Sequence, residues 1–162
     1  MSQSRIRRTA LAVAVLGVVC VAAAPAQAGN GHVGTWVQTG WEIDGRTLPC
    51  PVDLGLPAPA PSISCTAKTY LTLKKNGRYS TNMTVFRAND ADAGVYAVVT
   101  LDGGKRDVIV FDDDGDQDAP RAYRVTVQRT AAGVPKALMI SQAMTTASGV
   151  SRFKMIFAPK AG

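Results

Sequence analysis

The chain has 162 residues, of which 46% are hydrophobic and 19% are charged, and this length suits one domain better than two. Lysine and arginine number 18 against 12 aspartate and glutamate residues, for a formal net charge of +6, and there is one histidine. A single histidine leaves too few ligands for a zinc site, and the modest charge argues against a nucleic-acid-binding face.

The amino terminus has the three parts of a secretory signal peptide in their usual order. Arg5, Arg7 and Arg8 precede an apolar run from Thr9 to Ala24, and Pro25-Ala26-Gln27-Ala28 then supplies an A-x-A cleavage site. The run of about 16 residues is shorter than the ~20 that a membrane-spanning helix needs. We therefore expect export, by the Sec or the twin-arginine route, and cleavage after Ala28.

Removal of the signal peptide, residues 1–28, leaves residues 29–162 as one secreted or periplasmic domain. Three of the 18 basic residues leave with it, so 15 remain against 12 acidic residues, a surplus of three. This mild charge gives no reason to expect nucleic acid or a membrane as a partner after cleavage. Cys20 also leaves, and we expect Cys50 and Cys65 to form one disulfide in an oxidising compartment.

The remaining chain reads as consecutive strands, because most segments alternate with period two and are divided by Gly, Asp, Asn and Pro. The eight predicted strands are Val33–Asp44, Lys68–Lys74, Arg78–Phe86, Val95–Leu101, Asp107–Phe111, Ala122–Arg129, Lys136–Met144 and Ser151–Phe157. The connection between the first two holds both cysteines and five prolines, which exclude a central strand there. Asn76-Gly77 is a strong hairpin signal. We interpret the acidic segment Asp112–Pro120 as a solvated hairpin tip rather than a calcium site.

Eight strands with mostly short connections favour antiparallel neighbours, and closure of such a sheet removes its two free edges. The sequence therefore predicts an all-β fold, an eight-stranded antiparallel up-and-down barrel of lipocalin-like type. A two-sheet sandwich is the alternative. The inward face of the third strand stays open, because Tyr79 and Met83 share one face and Phe86 ends the other.

Short motifs of the chain resemble those of a known family. Gly34-Thr35-Trp36 at the start of the first strand resembles the G-x-W that opens lipocalin and avidin barrels. After Asp44-Gly45 and a cysteine-bearing loop, the stretch from Leu71 to Tyr79 is similar to a hairpin of the bacterial secreted lipocalin-like, or calycin-type, group. The resemblance implies that Trp36 closes one end of the barrel and that an arginine of the last strand covers it, with Arg152 the candidate by position.

Two further comparisons limit what the resemblance implies. The T-D-Y motif of vertebrate lipocalins is missing from the sequence, so their ligand transport does not carry over. The bacterial metalloprotease-inhibitor family is similar in architecture, since it also combines an exported small barrel, a G-x-W and one disulfide.

The residue types favour binding over catalysis. His32 lies next to the expected mature amino terminus, Glu42 is the single glutamate, and no free cysteine is expected after cleavage. A catalytic triad needs a base held beside its nucleophile, which a terminal histidine does not provide. An enzyme that moves protons between barrel Tyr and Asp residues stays open, and we expect no cofactor and no metal.

We expect a monomer that binds a small apolar or amphipathic molecule inside the barrel. The alternative is a protein-interaction or protease-inhibitor module that acts on a protein partner through its loops. Methionine and aromatic side chains suit an adaptable pocket, and they suit an ordinary core equally. The tentative ligand-binding residues are Trp41, Tyr79, Met83, Tyr123 and Met155.

The position of the long connection suggests where a site would lie. Connections of an up-and-down barrel alternate between its ends, so the Cys50–Cys65 loop lies at the end opposite Trp36. Loops of this length in a compact domain are usually functional or disordered, and a disulfide with five prolines disfavours disorder. Trp41 should lie near this mouth. The loop is then either a flap over an open pocket or a plug.

Overall fold

The computed structural model describes residues 31–54, 63–83, 93–114, 119–146 and 149–161. The expected signal peptide lies outside these residues. The described residues contain no helix that is long and apolar enough to cross a membrane. The strands are β1 Gly34–Ile43, β2 Arg46–Pro49, β3 Val52–Leu54, β4 Ile63–Cys65, β5 Tyr70–Leu73, β6 Arg78–Thr81, β7 Ala93–Leu101, β8 Arg106–Asp113, β9 Arg121–Arg129, β10 Pro135–Thr146 and β11 Gly149–Pro159.

Eight of these strands form a closed antiparallel barrel. Strands β5 to β11 pair in sequence order, and β1 closes the ring by pairing with both β5 and β11. Trp36, for example, lies opposite Leu71 on one side and Pro159 on the other. The predicted all-β, lipocalin-like barrel is therefore confirmed, and its eight strands correspond in order to the eight predicted ones. The predicted third strand continues to Phe86, beyond the described residues.

The barrel interior is filled by alternate residues of the strands, as the period-two pattern requires. Tyr79 and Thr81 on β6 are buried together with Met83, so this face of the third predicted strand points inward. The buried apolar side chains form one continuous core: Trp36, Trp41, Cys65, Leu71, Leu73, Tyr79, Met83, Tyr96, Val98, Ile109, Phe111, Tyr123, Val125, Leu138, Ile140, Met155 and Phe157.

A β-bulge at Thr39 interrupts the alternation of β1. Gln38 lies opposite Phe157 and Gly40 lies opposite Ile156, so Thr39 has no partner in the β1–β11 register. One extra residue in a strand moves every later side chain to the other face. Trp41 therefore points into the barrel on the same side as Gln38.

The described part of the proline-rich connection contains three short strands, and the expectation that both cysteines lie outside strands is wrong. β2 pairs with the second half of β1, beyond the part that pairs with β5. β3 and β4 form a separate two-stranded sheet, and Cys65 ends β4. Segments of three or four residues are too short to show period-two alternation. The predicted Cys50–Cys65 disulfide is confirmed.

The predicted acidic loop also starts too early. β8 continues through Asp112 and Asp113, which pair with Val95 and Gly94 of β7. Asp113 follows Phe111 by two residues and shares its inward face, so its side chain is only 6% exposed. Within the remainder of the predicted loop, residues 115–118 lie outside the described residues.

Candidate functional site

The end of the barrel opposite Trp36, called the mouth below, is covered by the disulfide-linked segment. Leu48, Cys50 and Val52 are partly buried and pack against the core, and Cys65 is 2% exposed. The Cys50 N–H donates a hydrogen bond to the carbonyl oxygen of the bulge residue Thr39, at 2.9 Å. The described part of the segment, called the plug below, therefore packs against the core at this end of the barrel.

The approach of this segment to β1 depends on a glycine. A Cβ atom at Gly40 would lie 2.7 Å from the carbonyl oxygen of Leu48, closer than real Cβ contacts. Gly40 thus allows β2 to pair with β1 directly after the bulge. The bulge and the glycine together set the position from which the plug begins.

The structure places all five tentative ligand-binding residues inside the barrel. Trp41 and Met155 are direct cross-strand partners on β1 and β11. All five are between 1% and 5% exposed: Trp41, Tyr79, Met83, Tyr123 and Met155. Side chains that line a ligand-sized cavity would be exposed to water inside it, whereas a well-packed core leaves few voids large enough for water. These side chains therefore pack against one another in the described interior.

An aromatic and acidic cluster lies on the inner wall near the mouth. The Phe111 ring makes edge contacts with Tyr79 at 4.9 Å and with Tyr123 at 6.0 Å between ring centroids. The Tyr79 hydroxyl donates a hydrogen bond to the Asp113 carboxylate. The same carboxylate lies 3.8 Å from the Arg121 guanidinium.

Gly94 makes this cluster possible, because it lies between Tyr79 and Asp113 in the sheet. A Cβ atom there would lie 2.7 Å from Cε1 of Tyr79, so the ring occupies the space that a side chain would fill. Burial raises the pKa of Tyr79 strongly, and the bond to Asp113 raises it further. General acid–base catalysis needs a pKa near the working pH, so this phenol suits a structural hydrogen bond better than proton transfer.

Among the described residues, four buried polar atoms on the inner wall have no hydrogen-bond partner. They are Nε2 and Oε1 of Gln38, Nε1 of Trp41 and Oδ2 of Asp113. Leaving a buried donor or acceptor unpaired costs about 1–3 kcal/mol, so such groups call for a physical explanation. Sequence reasoning missed Gln38 and Asp113. Gln38 follows Trp36 by two residues, and Asp113 follows Phe111 by two. This spacing places each polar residue on the inward face of its strand and is the signal that could have found them.

The structure does not bring Arg152 to Trp36. Arg152 is exposed at the mouth, where its backbone N–H donates a hydrogen bond to Oδ1 of Asp44 at 2.8 Å. It lies seven residues before Pro159, the β11 partner of Trp36, or about 23 Å along the strand. Position in the last strand alone could not reveal this, because the pairing register decides which end of the barrel a residue reaches.

Trp36 is instead held by the segment that precedes β1. Its Nε1–H donates to the carbonyl oxygen of His32 at 2.9 Å, and the indole is 2% exposed. The Arg129 guanidinium, from β9, lies against Gly31 in the same segment. A basic side chain thus accompanies the Trp36 end, but it comes from a different strand than the one implied by the resemblance.

A cleft of about 680 Å³ opens on the outer surface beside the mouth. Its lining includes the Asp44-Gly45 turn, Arg152 and an ion pair in which Lys154 Nζ lies 2.7 Å from Oε1 of Glu42. Charges of both signs therefore surround a concave surface that adjoins the first strand of the plug.

The described residues include no group of three or more His, Cys, Asp or Glu side chains arranged to hold a metal ion. No family model, no curated protein and no solved structure matches the chain. The geometry of the mouth and of the outer surface is therefore the basis for the functional proposal.

Proposed function

We propose that this domain is a non-enzymatic module that binds a protein partner through the outer surface beside its mouth. The observation that carries the proposal is the packed interior, in which all five tentative ligand-binding side chains are at most 5% exposed. A barrel plugged in this way offers its recognition groups on the outside. Protease inhibition is the form of this function that we favour, because the disulfide and the β3–β4 pairing hold the described residues next to Cys50 and Cys65 in place before they meet a protein.

The surface beside the mouth supports the proposal through its chemistry. Arg46 and Thr47 on β2 are exposed, and the neighbouring cleft carries Arg152. Arginine is enriched in protein interfaces, where its planar guanidinium can pair with a carboxylate in bidentate geometry. β2 also ends the sheet order, and an edge strand can accept an extended segment of a partner.

The test measures inhibition of a secreted serine protease and of a secreted zinc metalloprotease by the purified domain. We expect stoichiometric inhibition of one class, weakened at least about tenfold by Arg46→Glu or Arg152→Glu. Lys136→Glu is the control, since Lys136 is an exposed cation near the Trp36 end. Inhibition of neither class, or equal inhibition by all variants, contradicts the proposal.

A small amphipathic ligand inside the barrel is the second candidate, favoured by the unpaired polar atoms of Gln38 and Trp41. A ligand with both donor and acceptor groups would satisfy them after the flexible methionine side chains move. The test is a titration of tryptophan fluorescence with fatty acids, in the wild type, Trp41→Phe and Gln38→Leu. Saturable quenching that needs Trp41 and weakens in Gln38→Leu supports this candidate, and unsaturable quenching contradicts it.

We also propose that the chain is a secreted or periplasmic member of the bacterial lipocalin-like group. The closed eight-stranded barrel and the Gly34-Thr35-Trp36 motif support the family, and the Cys50–Cys65 disulfide supports an oxidising compartment. Mass spectrometry of the exported protein should find Gly29 at the amino terminus. A mature chain that still carries the first 28 residues contradicts the export proposal.

A further inference from the structure

A second cleft, called the basal cleft below, opens at the Trp36 end of the barrel and has a volume of about 580 Å³. It is lined by residues 31–32, 104–107, 124–127, 129 and 135, which belong to the segment before β1, the start of β8 with its preceding turn, the second half of β9 and the start of β10. Small-molecule sites usually measure about 300–1,000 Å³, so this space suits one small ligand.

The basal cleft forms where β9 extends past its neighbour β8. The register between these two strands ends where Asp107 lies opposite Val125, and β9 continues to Arg129. The edge of residues 127–129 that would otherwise meet β8 therefore faces the cleft. Backbone N–H groups on an unpaired strand edge are donors that an anionic ligand can use.

Basic side chains dominate the lining of the basal cleft. Lys105 and Arg106 lie at the start of β8, and Arg124 and Arg129 lie on β9. Arg106 forms an ion pair with Asp102, in which Nε lies 3.2 Å from Oδ2. Within the part of the chain that the structure describes, the other three basic side chains have no ion pair with a carboxylate. The cleft therefore holds three positive charges that no acidic side chain of that part neutralises.

The one acidic residue of the lining is held on the far side of β8. Oδ1 of Asp107 accepts a hydrogen bond from Oγ1 of Thr100 at 2.7 Å. Thr100 is its cross-strand partner on β7, whereas Arg124 and Arg129 lie on β9, the other neighbour of β8. The hydrogen bond therefore draws this carboxylate towards β7 and leaves the cations of β9 available to a ligand.

The Arg129 guanidinium is held in place without a ligand. Its Nη1–H donates a hydrogen bond to the carbonyl oxygen of Gly133 at 2.9 Å. The same group lies against Gly31, where a Cβ atom would overlap Nη2. A carbonyl oxygen does not neutralise the charge, and a guanidinium has five N–H donors, so donors remain for an anion. A side chain that is already positioned loses little freedom when a ligand binds.

We propose that the basal cleft binds a small ligand through a phosphate monoester group. A phosphate monoester carries about two negative charges near neutral pH, which matches three cations better than the single charge of a carboxylate does. Arg129 binds the phosphate oxygens through its planar fork, and Lys105 adds a mobile point charge. The remainder of the ligand lies along the edge of residues 127–129. This site is independent of the protein-binding surface proposed beside the mouth.

The first test is isothermal titration calorimetry of the purified domain at low ionic strength with glucose 6-phosphate, glucuronate and glucose. We expect a dissociation constant of about 0.1–1 mM for glucose 6-phosphate, at least about fivefold weaker binding of glucuronate, and no binding of glucose. Glucuronate binding as tight as that of glucose 6-phosphate overturns the choice of a phosphate group. No binding of glucose 6-phosphate at about 10 mM overturns the site itself.

The second test locates the binding by removing single charges. Lys105→Gln and Arg129→Gln should each weaken the binding of glucose 6-phosphate at least about fivefold, because each removes a charged donor. Lys68→Gln is the matched control, since Lys68 is exposed and lies outside the lining. Circular dichroism checks the fold, and the exposed Lys105 keeps the test valid if Arg129→Gln unfolds. Equal affinities of Lys105→Gln and Lys68→Gln overturn the placement in the basal cleft.

Discussion

Trp36 and Trp41 both lie inside the barrel, although two residues five positions apart lie on opposite faces of a regular strand. The bulge at Thr39 accounts for this relationship, because it adds one residue between the two parts of β1. The first indole is buried near the end of the barrel where β1 begins. The second packs beneath the disulfide-linked plug at the mouth.

Insertion of an alanine after Thr39 should therefore destabilise the domain far more than removal of the Thr39 side chain. The insertion adds a second extra residue between the two parts of β1, and regular alternation beyond the bulge then turns Trp41 outward, a loss comparable to truncation of a buried Trp, about 3–5 kcal/mol. Thr39→Ala should change the free energy of unfolding by only about 0.5 kcal/mol, because the residue is exposed. Urea unfolding of both variants measures the difference, and similar midpoints would show that the bulge does not set the register.

Replacement of Trp36 should separate the contribution of its ring from that of its hydrogen bond. Trp36→Ala should cost about 3–5 kcal/mol. Trp36→Phe keeps an aromatic ring and leaves the His32 carbonyl without its donor, which should cost about 1–3 kcal/mol. Thermal melting measures the melting temperatures, which should be lowest for Trp36→Ala, intermediate for Trp36→Phe and nearly unchanged for the control Val134→Ala, whose side chain is exposed. An unchanged melting temperature in Trp36→Ala would argue against a structural role for this residue.

Stability should fall as the pH rises above about 10, where free tyrosine begins to ionise. Burial raises the pKa of Tyr79, Tyr96 and Tyr123 in the folded state. The folded protein then holds these protons more tightly than the unfolded chain, so stability is full below that pH and is lost above it. Absorbance of tyrosinate should rise together with unfolding, and Tyr79→Phe should make the decline shallower. Full ionisation of these tyrosines in a folded protein would contradict the prediction.

Reduction of the disulfide should lower stability through the unfolded chain. Cys50 and Cys65 are 15 residues apart, and closure of a loop of this length contributes about 3 kcal/mol. Denaturation of the wild type with and without dithiothreitol measures the loss, and the double variant Cys50→Ala/Cys65→Ala should be insensitive to the reductant. Thiol titration of the denatured exported protein should find no free cysteine. Two thiols per chain would mean that the bond does not form.

Local signals in the sequence determined the fold class and the order of the barrel strands. Alternation over seven or more residues identifies a strand regardless of its partners, as in Ala122–Arg129, and Asn76-Gly77 needs only its own backbone to favour a hairpin. The disulfide also follows from the sequence, because two cysteines remain after the expected cleavage. These features depend on contacts between neighbours in the chain, so they can be inferred without a register.

The tertiary structure alone decided what lies at the two ends of the barrel. A bulge leaves the composition of β1 unchanged but reverses the facing of Trp41, and a three-residue strand such as β4 forms only because a partner is nearby. Arg129, rather than the expected Arg152, lies near the Trp36 end for the same reason. Which end a residue reaches depends on pairing between strands that are distant in sequence, and period-two alternation repeats identically along a strand. It therefore cannot report the register that placed Asp113 beside Tyr79 and β2 beside the second half of β1.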